Sequence, residues 1–566
     1  MSAMALVDVI AGGNMPSPAG EVDPWTWLVP LPVTLPLIGA GLTLVAVRKE
    51  KVQRIITICV FLGVLIASSL LVYRADVYGP QVMQAAGWAA PMGVTLIVDR
   101  LTSLMVLVST IVTFAVMMYS IGQGRSSADV GDGEAPLPIF HPTLLVLAAG
   151  VGTTFISGDL FHIYVGFEML LVASFVLLTL GGTEERVRAG VNYVFVNLLS
   201  SLFFLAAIAF VYAATGTVNL AQLAVRIPEL SSGGALTLSA LLLIGFGIKA
   251  ALFPMMGWLP DSYPTAPAPV TAVFAGLLTK VGVYAMLRTQ TLLFPDGRLN
   301  GLLMWAALLT MLFGILGAIA QDDIKRLLSF TLISHIGYLV FGLAVGNQIG
   351  LSAAIFYTCH HIVVQTSLFL VTGLIEHRAG TTSLAELGGL ARTAPMISVL
   401  FFIPAVNLGG IPPFSGWLGK IGLLHAGAQA GGVVSYALMA GAVVTSLLTL
   451  YAVSRVWARA FWRRPVTEIS ADVVVPAGER EFAATESSPA IEPDRLRELQ
   501  GQANQHVPRG LFIPAASLVA VSCAFTLVAG PLYGVTDRAA LDLLSRTSYV
   551  RAVFPAGCGE GSVCRG

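Results

Sequence analysis

The chain has 566 residues, of which 56% are hydrophobic and only 11% are charged, and its mean hydropathy is +0.82. Soluble domains carry about 25% charged residues, so this composition excludes a soluble protein and indicates one that crosses a membrane many times. The 31 basic and 31 acidic residues cancel, and nothing in this balance suggests nucleic-acid binding. The five cysteines show no metal-ligand spacing, although Cys558 and Cys564 are expected to be able to pair if the C-terminal tail is outside the cell.

Runs of about 20 apolar residues mark candidate membrane spans, because an α-helix of that length crosses the hydrocarbon core. The sequence predicts an all-α polytopic membrane protein with about fourteen such helices. The predicted spans are residues 27–47, 52–73, 94–119, 142–157, 160–180, 191–213, 236–256, 270–288, 302–320, 327–345, 353–375, 397–428, 433–456 and 511–533. The twelfth is long, and we expect it to break at residues 407–413.

Basic residues in the loops predict the orientation of these spans. Arg48, Lys49, Lys51 and Arg54 lie between the first two spans, which places that loop in the cytoplasm. Alternation along the chain then places both termini outside. The polar segments at 122–138 and 457–509 contain no dinucleotide fingerprint, P-loop or iron–sulfur spacing and are predicted to be cytoplasmic linkers. No cofactor, metal site or catalytic residue is therefore expected.

Two interrupted spans that each carry a lysine suggest an internal repeat. Lys249 is in span seven and Lys420 is in span twelve, so they are five spans apart. Because five is odd, the second unit would be inverted in the membrane relative to the first, as in many transporters. The expected organisation is residues 22–141 with helices 1–3, 142–288 and 302–456 as two five-helix repeats, 457–509 as a linker, and 511–566 as helix 14 with an external tail. The expected helix breaks are at Pro254, Pro260, Pro412 and Pro413.

Ionisable side chains within the predicted spans are costly in a membrane and are therefore candidates for ion transport. Glu168 lies midway along span five, and Lys249 is its expected counter-ion. Lys280 lies in span eight, and Lys420 is expected to be a terminal proton site. A buried lysine can release a proton, whereas arginine stays charged, so lysine suits a proton carrier. The alternative is that these groups only tie helices together through ion pairs or bonds to free carbonyls.

Several other polar residues are candidates for lining the same path. His361 and Gln365 lie one turn apart in span eleven and so can face one channel. A neutral histidine can take up a proton on one nitrogen and release one from the other. His360 should point away from His361, so at most one of them is expected on the path. His335 in span ten and His162 at the start of span five are further candidates, and a hydrogen-bonded core histidine explains His335 and His360 equally well.

Three separated motifs resemble the antiporter-like subunit superfamily. They are GDLFHIYVGFE at 158–168, LTKVGVY at 278–284 and GIPPFSGWLGK at 410–420. That superfamily includes large membrane subunits of respiratory complex I and of Mrp-type multisubunit cation/proton antiporters. The resemblance extends from about residue 30 to residue 456, and segments 91–105 and 157–182 are most similar to the D-type subunits of Mrp antiporters.

The resemblance implies the same inverted fourteen-helix fold and a proton relay. The implied relay consists of Glu168, Lys249, Lys280, His361 and Lys420. It also implies assembly with other membrane subunits in the lipid of a bacterial plasma membrane, and exchange of H⁺ for Na⁺ or another monovalent cation. The family usually has lysine where this chain has Gln365, and often asparagine where it has His162. Because glutamine cannot hold a proton, the relay would pass through His361 and water.

Two other interpretations of the sequence stay open. One is a proton-pumping subunit of complex I or of a membrane-bound hydrogenase, which would copurify with subunits that carry flavin or iron–sulfur centres. The other is a structural membrane scaffold whose buried charges only lock helices together. The scaffold is disfavoured because several charges without a role would be costly in the bilayer.

Overall fold

The computed structural model describes residues 24–123, 139–464 and 507–555. Most of the predicted polar linkers 122–138 and 457–509, namely residues 124–138 and 465–506, lie outside the described residues, as does the pair Cys558 and Cys564. The described chain is mostly helical. Its strands β1 (Gln81–Gln84) and β2 (Thr95–Val98) pair antiparallel, with Gln81 opposite Val98 and Gln84 opposite Thr95.

The helices of the first half include one broken span. They are α1 (Leu31–Val45), α2 (Glu50–Tyr78), α3 (Arg100–Gly122), α4 (Phe140–Ile156), α5 (Leu160–Leu178), α6 (Glu184–Thr215), α7 (Leu220–Arg226), α8 (Ser232–Ala250), α9 (Trp258–Ser262) and α10 (Ala268–Leu292). Helix α10 contains a π-helical stretch, Phe274–Leu278.

The second half begins with α11 and ends in three consecutive C-terminal helices. Its helices are α11 (Asn300–Ile319), α12 (Ile324–Val345), α13 (Gln348–Ala379), α14 (Leu390–Thr393), α15 (Pro395–Gly409), α16 (Ser415–Ala430), α17 (Val433–Trp462), α18 (Arg509–Leu527), α19 (Ala529–Ser545) and α20 (Thr547–Val553). Short 3₁₀ turns are at Thr26–Leu28, Ala85–Gly87, Ile227–Glu229 and Tyr263–Thr265.

Eleven of the described helices are long and apolar enough to cross a membrane, so the chain is a multi-pass membrane protein. The first and fourth predicted spans coincide with the shorter apolar helices α1 and α4, and the twelfth is divided between α15 and α16. Helix α13 is buried along its whole apolar length, and α10 and α12 are nearly so, whereas α2 and α17 are mostly exposed. Helices α10, α12 and α13 therefore form the centre of the bundle.

The two broken spans stop for the same backbone reason. Helix α8 ends at Ala250, and Ala251 adopts a left-handed conformation with φ of 57°. Helix α15 ends at Gly409, and Gly410 has φ of 82°. Left-handed geometry costs alanine roughly 1–2 kcal/mol, whereas glycine adopts it freely. The break at Ala251 is therefore held by its tertiary surroundings rather than by local preference.

Of the four prolines expected at helix breaks, three lie at these two breaks and one lies near the start of a helix. Pro254 lies between α8 and α9, and Pro412 and Pro413 lie between α15 and α16. Pro260 was expected at a break, but it lies within α9. A first helical turn has no intrahelical partner for its N–H groups, so proline is tolerated at that position.

The C-terminal part differs from the predicted single span at 511–533. Helix α18 ends at Leu527 and a separate helix, α19, begins at Ala529. Arg538 of α19 binds Asp76 at 2.6 Å, and Asp542 binds Arg100 at 2.6 Å. These ion pairs attach α19 to the ends of α2 and α3, so the apolar run at 511–533 spans a helix boundary.

Candidate functional site

Lys249 lies in the last turn of α8, directly before the helix break. Its Nζ is 3.4 Å from Asn197 Oδ1 on α6 and lies 5.7 Å from the centre of the Phe167 ring. Within the described residues, no ion pair joins Lys249 to Glu168, although the carboxylate acts on the lysine electrostatically. The expected direct pair is therefore not formed, and Asn197 takes its place as the contact of the ammonium group.

A small cavity lies beside Lys249. It has a volume of about 20 Å³ and is lined by Lys249, Asn197, Tyr193 and Trp258, with apolar side chains from α5 and α10. A space of this size accommodates one water molecule. Glu168 Oε1 is also buried, and it makes no hydrogen bond to any described protein group. Lys249 therefore faces a small, mostly apolar space that also borders α10, which carries Lys280.

Lys280 lies just after the π-helical stretch of α10 and is completely buried. Its Nζ donates a hydrogen bond of 2.6 Å to the carbonyl oxygen of Ala275. π-Helical turns widen the backbone and occur often at functional sites. The sequence contains no signal for this turn, which provides the oxygen partner of the Lys280 amine in the middle of the bundle.

Three histidines meet around one tyrosine where α12 and α13 pack together. The rings of His335 and His361 stack with centres 5.1 Å apart, and His335 Nδ1 is 2.7 Å from Tyr357 Oη. The ring of His360 lies 5.1 Å from that of Tyr357. Lys280 acts electrostatically on both His335 and His361. Although His360 and His361 have different other neighbours, Ser415 and His335 respectively, both rings lie against Tyr357.

The same cluster contains buried polar atoms without a protein partner. Neither ring nitrogen of His361 hydrogen-bonds to a described group, and the same holds for Nε2 of His335 and of His360. Such atoms can bind water or exchange a proton with a neighbour. Gln365 is only half satisfied: its Nε2 donates to the carbonyl of Leu328 at 2.8 Å and so ties α13 to α12, whereas its Oε1 is buried and accepts no hydrogen bond from a described group.

Lys420 lies at the second helix break, between α15 and α16. Its Nζ donates to the carbonyl oxygens of Leu408 and Gly409 at 3.0 and 3.1 Å, and it lies 4.9 Å from the centre of the Tyr338 ring. These are the last carbonyls of α15, and a helix C-terminus carries partial negative charge that favours a cation. His360 Nδ1 lies 3.0 Å from Ser415 Oγ, which connects the histidine cluster to the start of α16.

The structure thus brings Lys280, the three histidines and Lys420 into one buried row, with Tyr357 in the middle. Lys249 and Glu168 lie at its end beyond the small cavity. His162 lies apart from the row at the start of α5, where its Nδ1 is 2.8 Å from Ser157 Oγ.

Comparison with known proteins assigns the chain to a family. Residues 157–449, which contain all three sequence motifs, match the family described as NADH:quinone oxidoreductase/Mrp antiporter, transmembrane. The chain belongs to this family. It is 36% identical to the D subunit of the Na⁺/H⁺ antiporter of Alkalihalophilus pseudofirmus, over 93% of this chain and 99% of that protein. It is 33% identical to the corresponding D subunit of Bacillus subtilis, over 93% of this chain and 98% of that protein.

Solved structures of complexes contain the same fold. A chain of the Mrp complex from Dietzia sp. DQ12-45-1b superposes with a TM-score of 0.80 at 31% identity, covering 93% of this chain and 99% of that one. A chain of respiratory complex I from Thermus thermophilus superposes with a TM-score of 0.72 at 24% identity, covering 91% and 99%. The predicted resemblance to the NADH:quinone oxidoreductase/Mrp antiporter family is therefore confirmed.

The structure also contains polar pairs that the sequence did not predict in this family member. Asp99 is paired with Arg288 at 2.7 Å, not with its neighbour Arg100. Both side chains are buried, and Asp99 also caps α3 by accepting from the Thr102 N–H. The two residues are far apart in the chain, so no local pattern could have paired them. Sequence reasoning also missed Tyr357 and Asn197 as members of the site. The sequence feature that could have identified them is a polar side chain in the middle of an apolar helix.

Proposed function

We propose that this chain is the proton-translocating D-type subunit of a multisubunit Na⁺/H⁺ antiporter. It is a transporter subunit rather than an enzyme, and it moves protons through its buried row of lysine and histidine side chains. The observation that carries this proposal is the continuity of the row from Lys280 to Lys420 through the fully buried helix α13. Groups that are expensive to bury are placed here close enough to influence one another electrostatically, as a proton path requires.

The proposed path begins at Lys249. A water in the adjoining cavity would connect its ammonium group to α10, where Lys280 holds a proton next to the Ala275 carbonyl. Lys280 would pass the proton to His361 or His335, whose free ring nitrogens can accept it. The Tyr357 hydroxyl receives a proton from one side as it donates one to the other. His360 and then Lys420 would complete the transfer.

Glu168 is proposed to control the loading of Lys249 without a permanent ion pair. A carboxylate close to a lysine stabilises the protonated ammonium group, and its withdrawal favours proton release. Glu168 is near enough for this effect, and its Oε1 is not committed to another protein partner in the described chain. A change of side-chain conformation would therefore be enough to alter the coupling. Gln365, held by α12, is assigned no proton in this scheme.

The fold proposed for this function has fourteen spans with two inverted repeats at residues 142–288 and 302–456. It is supported by the matching starts of α5 and α12. Asp159 caps α5 and bridges to Asn219 beyond the 32-residue helix α6, while Asp323 caps α12 and bridges to Ser383 beyond the 32-residue helix α13. The N-terminal segment 22–141, the linker 457–509 and the final part 511–566 complete the proposed organisation.

The proposed setting is the bacterial plasma membrane, with both termini outside. The cluster of basic residues between α1 and α2 supports a cytoplasmic position for that loop. The related chains of known structure come from an Mrp complex and from an archaeal respiratory membrane complex, which supports a hetero-oligomer with other membrane subunits. H⁺ and Na⁺ are the proposed transported ions, and the exposed apolar side chains of the outer helices are proposed to contact lipid.

A proton-pumping subunit of complex I or a hydrogenase is the second candidate. The fold is shared with complex I at 24% identity, but the two antiporter relatives match at 33% and 36% over nearly the whole chain. The antiporter is therefore the preferred assignment. Copurification of the tagged chain with flavin or iron–sulfur subunits would reverse this preference.

The direct test is exchange by Lys249→Ala in inverted membrane vesicles that contain the assembled complex. Addition of Na⁺ should dissipate an imposed pH gradient in the wild type, and the variant should lose this response while its subunits still copurify. Lys51→Ala is the matched control, because Lys51 is an exposed lysine at the start of α2. Normal Na⁺-dependent pH change in Lys249→Ala would refute the relay.

A further inference from the structure

A cavity of about 320 Å³ lies at one end of the bundle, away from the buried row. It is enclosed by the start of α8, the last turn of α10, the segment leading into α11 and the junction of α19 and α20. Cavities of this size accommodate small ligands. Because span ends form its walls, the cavity lies where the membrane meets water.

The polar part of the wall carries donors and positive charge. Arg298 and Arg546 both line it, and Asp296, exposed and 3.8 Å from Arg298, is the acidic group beside them. The net charge of these three lining residues is therefore positive. The starts of α8 and α11 meet here as well, and helix N-termini add partial positive charge.

Gln290 is the second, independent observation. Its side chain is only 9% exposed and lines the cavity. Its Oε1 accepts a hydrogen bond from Ser239 Oγ at 3.1 Å, but its Nε2 donates to no described protein group. A buried amide donor without an acceptor is destabilising. A small rotation of the Gln290 side chain would bring this donor to an anionic oxygen in the cavity.

The rest of the wall is apolar, so the occupant must be amphiphilic. Leu236, Leu293 and Phe294 contribute apolar surface beside the polar groups. On α11, directly beyond this wall, Leu302 is 64% exposed and Trp305 is 49% exposed. Exposed tryptophan one turn inside a span is typical of the lipid headgroup level.

We propose that this cavity binds the phosphate headgroup of an anionic phospholipid. The phosphate oxygens would accept from Arg298, Arg546 and Gln290, while the acyl chains would lie along the exposed apolar face of α11. Arginine favours phosphate because its planar guanidinium donates two parallel hydrogen bonds. The site shares no residue with the proton row, so this proposal can be tested independently of the proposed transport function.

The test uses the assembled complex, delipidated in detergent and then supplied with phosphatidylglycerol, phosphatidylcholine or inorganic phosphate. Bound lipid is quantified by mass spectrometry after gel filtration, and thermal stability is measured in parallel. We expect saturable retention of phosphatidylglycerol and an increase in stability. The double variant Arg298→Gln/Arg546→Gln should weaken retention by roughly 10- to 30-fold, since each arginine near a membrane surface contributes about 1 kcal/mol.

Two further variants test the interpretation of this experiment. Gln290→Leu leaves the charge unchanged and should weaken phosphatidylglycerol retention several-fold through loss of its donor. Arg551→Gln removes an exposed arginine of α20 that does not line the cavity, and retention should stay at the wild-type level.

Four results would overturn the proposal. Unchanged phosphatidylglycerol retention in the double variant would exclude the site. Equal stabilisation by inorganic phosphate would make it a free-anion site, and equal retention of phosphatidylcholine would make it a non-selective lipid contact. Cross-linking of Arg298 to an acidic segment of a neighbouring subunit, with lipid excluded, would make it a protein–protein interface.

Discussion

Replacing Tyr357 with phenylalanine removes one hydroxyl from the centre of the histidine cluster and leaves the ring in place. The lost contact is the 2.7 Å hydrogen bond to His335 Nδ1, whereas ring packing against His360 and His361 is retained. An unsatisfied buried nitrogen costs about 1–3 kcal/mol, so the complex should still assemble. Because the hydroxyl is the proposed proton carrier between His335 and His360, exchange should fall on the order of 100-fold.

The assay is Na⁺-dependent pH change in inverted vesicles, followed with a fluorescent pH indicator and normalised to the amount of assembled complex. Tyr338→Phe is the matched control. Tyr338 is also fully buried, but its hydroxyl bonds to the Ala442 carbonyl and Ser446 Oγ of α17 rather than to a histidine. We expect this control to lose a similar amount of stability and to keep most of its exchange.

The comparison of the two tyrosine variants decides between a relay and a purely structural role. If Tyr357→Phe exchanges at half the wild-type rate or more with normal assembly, the hydroxyl does not carry protons. If both variants lose exchange equally, the loss reflects packing of the cluster, and the proposed role of Tyr357 is likewise refuted.

Three other substitutions have defined expectations. Gln365→Leu should lower the melting temperature of the complex by removing the bond to α12, at about 1–3 kcal/mol, yet retain exchange; complete loss with normal assembly would place Gln365 on the path. Gly410→Ala should impair exchange more than Gly431→Ala, although both glycines have positive φ. A Cβ at Gly410 would lie 2.8 Å from the side chain of Lys420, whereas a Cβ at Gly431 would meet no atom within 4 Å. Equal effects of the two substitutions would contradict this contact. Asp99→Asn should destabilise the chain by about 3–5 kcal/mol because Arg288 stays buried and unpaired, as measured by thermal unfolding, and adding Arg288→Gln should recover part of the loss; no recovery would refute the pairing argument.

The sequence alone was enough to identify the class of protein and most of the chemistry. Apolar length located the spans, because crossing a bilayer imposes a minimum helix length that any sequence must display. Proline and glycine located the interruption after Gly409 and the one around Pro254, since both residues act on the local backbone. Ionisable residues in apolar runs indicated transport because a charge within a membrane is energetically costly. Three motifs indicated the family.

Only the tertiary structure decided which of these groups meet. Helix rotation and packing bring both His360 and His361 against Tyr357, and they leave Glu168 without a direct bond to Lys249. Asp99 finds its partner in Arg288 on another helix rather than beside it in the chain. Apolar patterns report the average surroundings of a helix, whereas a hydrogen bond depends on the relative position of two helices to within about an ångström. Most residues of the proposed proton path were therefore predicted from the sequence, whereas the inclusion of Tyr357 and the contacts among these residues depend on the tertiary structure.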